Sequence, residues 1–200
     1  MVCLQILSQT NDFGTWTSIY LETKLKKKVT ASIGHNFRLN ENSTKLNSTF
    51  PEIGLSYRRN KNLKFSGNYR YIIRNENENA SRFNFDITFR KKLDKRIRFI
   101  YRLRYQTQFN IQWDINSYLR NKLSINYNLK YIPIDPYIAA ELYYHFKNHV
   151  IYKENDVVVL NEFNRNRIKL GLNWKLDKGK TLDIFYLYQK EFNVSDAESD

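Results

Sequence analysis

Charged and apolar residues alternate along this chain, segment after segment. The clearest run is Arg96-Ile97-Arg98-Phe99-Ile100-Tyr101-Arg102-Leu103-Arg104-Tyr105. One face carries Ile97, Phe99, Tyr101, Leu103 and Tyr105. The other carries Arg96, Arg98, Arg102 and Arg104, broken only by Ile100. A period of two predicts a β-strand whose successive side chains point to opposite faces. The pattern recurs along the whole chain with almost nothing else for the apolar faces to pack against. Such a chain fits a closed barrel with its apolar face turned to lipid and its charged face lining a lumen. The predicted fold is therefore all-β. It is a single antiparallel up-and-down transmembrane β-barrel of about 10–12 strands.

The strands read as hairpins. Strand one covers Thr15 to Leu25, and Lys26-Lys27-Lys28 turns it into strand two, Val29 to Leu39. Asn40 to Thr49 reads as a polar loop. Strand three, Phe50 to Arg58, begins beside Pro51, where a proline disturbs the ladder least. After Asn60-Lys61-Asn62, strand four sets Leu63, Phe65, Tyr69, Tyr71 and Ile73 against Lys64, Ser66, Asn68, Arg70 and Arg74. Asn75 to Ser81 is a predicted loop. Strand five sets Phe83, Phe85, Ile87 and Phe89 against Arg82, Asn84, Asp86, Thr88 and Arg90. The arginine strand follows, its alternation running on through Phe109, Ile111 and Trp113. Strand seven spans Tyr118 to Leu129, and a segment with Pro133 and Pro136 leads to strand eight, Tyr137 to Phe146. Lys147 to Glu162 reads as a long loop. Strand nine sets Ile168, Leu170, Leu172 and Trp174 against Arg165, Arg167, Lys169 and Asn173. The turn Asp177-Lys178-Gly179-Lys180 leads to strand ten, Thr181 to Phe192.

Connections alternate short and long, as in outer-membrane barrels, and the strand lengths match a membrane crossing. Residues 1–9 read as the remnant of a secretory signal peptide, residues 12–193 as the barrel, and 194–200 as a polar tail or truncated loop. Because the chain stops on Ser195-Asp196-Ala197-Glu198-Ser199-Asp200 rather than on an aromatic-ended strand, the barrel reads as lacking its closing strand.

Composition narrows the class. The chain has 200 residues and a formal charge of +13. That length suits one domain. Mean hydropathy is −0.66, so no stretch reads as a transmembrane helix, whereas a barrel escapes that test because only every second residue meets lipid. The single cysteine, Cys3, excludes an internal disulfide. Without Cys/His pairs at ligand spacing, no metal and no cofactor are expected.

Several segments carry a family likeness. They are Asp12-Phe13-Gly14-Thr15-Trp16, Leu25-Lys26-Lys27-Lys28, Ile53-Gly54-Leu55-Ser56-Tyr57-Arg58 and Gly67-Asn68-Tyr69-Arg70-Tyr71. To these add Tyr101-Arg102-Leu103-Arg104-Tyr105, Pro136-Tyr137 with Glu141, and Asn166-Arg167-Ile168-Lys169-Leu170-Gly171-Leu172. Over residues 12–193 the chain resembles domain of unknown function 2490, a group of outer-membrane β-barrels common in Bacteroidota. The resemblance implies the outer membrane of a Gram-negative bacterium and contact with its lipid. It implies no activity.

The predicted inward charges include Arg70, Asp86, Arg98, Arg102, Arg104, Arg120, Glu141 and Arg167, with Arg38, Glu52, Lys169 and Asp183 beside them. Buried charges must pair or stay hydrated, and arginine forks hold carboxylates in bidentate geometry. A plugging ion-pair network is the leading expectation. Because arginines outnumber acids, a narrow anion-favouring pore or a site for small anions stands beside it. Catalysis has little support: His35 and Ser32 fall on opposite faces, and His145 shares a face with Glu141 without a serine. A lipid hydrolase is nevertheless kept as an alternative, and a soluble lipocalin-like binding barrel with reversed facing as a second. Nucleic acid is not expected, since base stacking needs aromatics and basic residues on one face.

Overall fold

The computed structural model of the protein describes residues 14–75, 78–110, 115–146, 151–153, 156–158, 161–177 and 179–192. The predicted leader remnant at 1–9, Ile111, Trp113 and the tail at 194–200 lie outside the described residues. Ten long strands follow one another in space as in sequence. They are β1 (Thr15–Lys26), β2 (Val29–Asn40), β3 (Lys45–Arg58), β4 (Leu63–Arg74), β5 (Ala80–Lys92), β6 (Ile97–Asn110), β7 (Ile115–Tyr127), β8 (Ile134–Phe146), β11 (Asn161–Asp177) and β12 (Lys180–Glu191). Every neighbouring pair is antiparallel, in the order β1-β2-β3-β4-β5-β6-β7-β8-β11-β12. The sheet curls into a half-barrel. Among the described residues no ladder joins β12 to β1. The curl nevertheless brings distant strands together: Arg38 of β2 and Arg167 of β11 lie 4.3 and 5.2 Å from the ring of Trp16 on β1.

Facing is inverted relative to a water-soluble sheet. Large apolar residues point outward and are exposed, as with Ile53 (57%), Leu170 (51%) and Ile184 (54%). The buried residues are mostly polar, among them Asn84, Asp86, Gln106, Arg120 and Glu141. The apolar interior is small and centres on Phe50, Ile72 and Ala80. This is the facing that the alternation predicts for a barrel in lipid, and the reverse of what a lipocalin-like barrel requires.

Several boundaries differ from the sequence reading; β5, for example, already begins at Ala80 and β7 at Ile115. β3 starts at Lys45 rather than Phe50, so the predicted loop over Asn40 to Thr49 shrinks to residues 41–44. Glu41, Asn42 and Ser43 all take positive φ (49°, 56° and 66°), which reverses the chain in very few residues. Strand eight begins at Ile134, with Asp135 and Pro136 already opposite Asn173 and Leu172. Within the expected loop after β8, β9 (Ile151–Lys153) and β10 (Asp156–Val158) form a two-stranded hairpin. Connection lengths at the two ends are also less unequal than predicted. The 128–133 segment exceeds the opposite turn at 41–44, and only 147–160 is long.

Local chemistry sets the turns. At the β3–β4 turn the backbone amides of Asn62 and Leu63 donate to Asn60 Oδ1 at 2.9 and 2.8 Å, an Asx-type closure. Gly179 supplies the left-handed φ of 81° between β11 and β12.

Candidate functional site: a cationic chamber

The register aligns the inward residues into rungs that cross the sheet. One rung reads Asp86, Arg104, Arg120, Tyr143, Arg165 and Glu191 from β5 to β12. The next reads Thr88, Arg102, Lys122, Glu141, Arg167 and Gln189. A third begins Glu52, Arg70, Arg82 and Gln108 across β3 to β6. Period two places these groups on the inner face, and the antiparallel pairing makes them neighbours.

Carboxylates neutralise part of this array. Asp86 accepts two hydrogen bonds from Arg104, Nε to Oδ1 at 2.6 Å and Nη2 to Oδ2 at 2.7 Å, a bidentate fork. Glu52 accepts from Arg70 Nε at 2.6 Å. Glu141 takes Arg102 Nη2 at 2.9 Å and Arg120 Nη2 at 3.0 Å on both of its oxygens. Arg120 also donates to Gln106 Oε1 at 2.7 Å. Nearer the open edge, Lys169 meets Asp183 at 2.9 Å and Arg165 meets Glu191 at 2.6 Å.

Tyr143 is the organising residue that charge alone did not single out. It is 2% exposed. The guanidinium carbons of Arg120, Arg167 and Arg165 lie 4.4, 4.9 and 5.4 Å from its ring centre. Its hydroxyl donates to Glu141 Oε2 at 3.3 Å and accepts from Arg167 Nη1. Trp16 and Phe50 act similarly: Arg38 lies over both rings and Arg70 lies 4.2 Å from that of Phe50. Aromatic faces attract guanidinium groups and hold them without cancelling their charge. A signal was present in the sequence, since Tyr143 shares the parity of Glu141, and Trp16 that of Glu22.

Of the predicted charges, Arg70, Asp86, Arg102, Arg104, Arg120, Glu141 and Arg167 meet in this interior. Arg98 does not join them. It is exposed and lines a separate rim cavity of about 150 Å³ beside Lys92, Asn126 and Asp135. The inward face reaches the turn end there, so the alternation holds while the enclosure is lost.

The main cavity is about 310 Å³ and is lined by Arg38, Arg82, Lys122 and Arg167 together with the paired residues above. It also has an apolar flank at Trp16, Phe185 and Leu187. It can hold water and small anions, and its polarity suits no apolar ligand. Among the described residues no serine, threonine or cysteine lines it. His145 is buried on the same inner face, stacked on Tyr118 at 4.3 Å, with Nε2 3.3 Å from Asn116 Oδ1. Among the described residues no group of three His, Cys, Asp or Glu side chains could hold a metal ion.

The profile of a family described as a protein of unknown function, DUF2490, matches residues 13–200. No curated protein matches the chain.

Proposed function

Because the chain belongs to the DUF2490 family, whose description assigns no activity, we propose on geometry that it is a non-enzymatic outer-membrane barrel of a Gram-negative bacterium. Its interior is largely filled by arginine–carboxylate pairs that leave a narrow anion-favouring path. The observation that carries this reading is the inverted facing. A belt of exposed Ile, Leu, Phe and Tyr surrounds an interior in which Asp86 and Glu141 are 4% and 9% exposed. Water would penalise that outer belt, and hydrocarbon would not. A small barrel with long inward side chains leaves a restricted passage, and its excess of guanidinium groups favours anions over cations.

Reconstitution of the refolded protein in planar bilayers tests the reading. A small conductance with a reversal potential on the chloride side is expected in a salt gradient. A large conductance without anion preference, or recovery of the protein from cells in the soluble fraction without detergent, would overturn it. The hydrolase alternative has its own readout. Phospholipid hydrolysis by the refolded barrel that His145→Ala abolishes would replace a passive barrel with an enzyme.

A further inference from the structure

We infer that the main cavity is a binding site for a tetrahedral, multiply charged oxyanion of the phosphate class, seated among Arg38, Arg82, Lys122 and Arg167. This rests on the proposed cationic interior and names its ligand.

Charge balance is the first reason. Ten cationic side chains line the cavity, namely seven arginines besides Arg38 together with Lys122 and Lys169. Five carboxylates pair with them: Glu52, Asp86, Glu141, Asp183 and Glu191. Among the described residues the excess is five positive charges in a cavity that the curl surrounds on several sides. Unpaired charges in such a space are costly, and a multivalent anion offsets them more fully than chloride.

The register is the second reason. Arg70 lies directly opposite Arg82, Arg104 opposite Arg120, and Arg102 opposite Lys122. Like charges in directly opposed positions destabilise a sheet. Glu141 relieves part of this by bridging Arg102 and Arg120. Glu52 pairs with Arg70 and Asp86 with Arg104, which among the described residues leaves Arg82 and Lys122 without a carboxylate partner. Among the described residues Arg82 donates only to the neutral Gln108, through Nε and Nη2. Arg167 donates to Gln189 and Tyr143, both neutral. Arg38 has ring contacts, and among the described residues neither Arg38 nor Lys122 has a carboxylate within ion-pair distance. Arg120, 8% exposed, keeps Nε without an acceptor.

Geometry selects the shape of the anion. Arg38, Arg82, Lys122 and Arg167 arise from β2, β5, β7 and β11, so donors approach from several sides of the curl. Guanidinium forks match the oxygen pairs of a phosphate group. A planar carboxylate presents one edge, whereas a tetrahedral oxyanion presents oxygens in every direction. The cavity volume of about 310 Å³ admits inorganic phosphate or a small phosphate monoester.

The experiment is calorimetric titration of the full chain, refolded in uncharged detergent micelles, with inorganic phosphate at constant chloride. Saturable one-to-one binding is expected. Arg38→Gln and Arg167→Gln should each weaken it at least about tenfold, which is roughly 1.4 kcal/mol. Strand content by circular dichroism reports folding, and Arg82→Gln tests the same site if either variant fails to refold. Absence of saturable binding up to about a hundredfold over protein, or equal affinity in all folded variants, overturns the site. Competition separates the source of the phosphate group. Displacement by glycerol 3-phosphate supports a solute, and displacement by phosphatidic acid in the micelle alone supports a lipid headgroup. The two readings fail separately: chloride selectivity without phosphate binding removes this site and keeps the pore, while phosphate binding without conductance keeps the site and removes the pore.

Discussion

Among the described residues Glu141 carries more of the interior than any other single acid, because two guanidinium groups from two strands share it. Glu141→Gln would keep the shape and remove the charge, leaving Arg102 and Arg120 facing each other's neighbours without a counter-ion. Breaking a buried pair in this way costs about 3–5 kcal/mol. We expect a loss of about 3 kcal/mol in thermal unfolding measured in phosphate-free micelles, since Arg102 is partly hydrated. Glu191→Gln is the contrast, because its pair with Arg165 lies at the open edge with more of both side chains in water. There the expected loss stays below about 1 kcal/mol. Equal losses would mean that enclosure does not govern these pairs. The charged members of the chamber were legible from alternation, since parity alone assigns Arg102, Arg104 and Glu141 to one face. Tyr143, Trp16 and Phe50 were not, because an aromatic residue on a strand reads as outward wall unless its parity is checked against its charged neighbours.

Strands differ in how much each position tolerates. Tyr137 lies across from Gly171, and a Cβ there would come 2.6 Å from its hydroxyl. That hydroxyl donates to Asp183 Oδ1 at 2.7 Å. Gly171→Val should therefore displace Tyr137, break this bond and cost about 1–3 kcal/mol by overpacking. Gly67→Val should be tolerated, because a Cβ there meets open space and β-branching suits a strand. Denaturant midpoints of the two variants decide the point, and similar destabilisation would contradict it. Edges give a second expectation. β1 and β12 each have one ladder partner, whereas β5 to β7 have two. Amide exchange in micelles should be at least about tenfold faster in the edge strands. Uniform protection would show that β12 pairs with β1 under those conditions. Strand positions were mostly legible from period two. The start of β3 was not, because Leu46 is the single apolar residue between Lys45 and Thr49 and the segment resembles a loop by composition. Its membership depends on pairing with Phe37 to Asn40 across the tight turn at 41–44, a tertiary fact.

At the scale of the whole molecule, one physical choice organises everything else: which side of the sheet meets solvent. The alternating pattern permits both answers, and the curl selects the one with apolar residues outside and guanidinium groups inside. That inversion accounts for the exposed belt and the ring-held arginines. It also accounts for the uncompensated charge that the proposed anion would offset. The specific function was not legible, because a lumen charge pattern reports polarity and size without a reactive group. The measurement that bears most directly on this is nitroxide scanning of residues 167–172 on β11 in lipid bilayers, on a background with Cys3→Ser. Collision rates with oxygen, which concentrates in hydrocarbon, should peak at positions 168, 170 and 172 and fall at 167, 169 and 171. A water-soluble nickel complex should show low access at the first set. The opposite phase, or equal access of the nickel complex at 168, 170 and 172, would contradict an outer face in lipid.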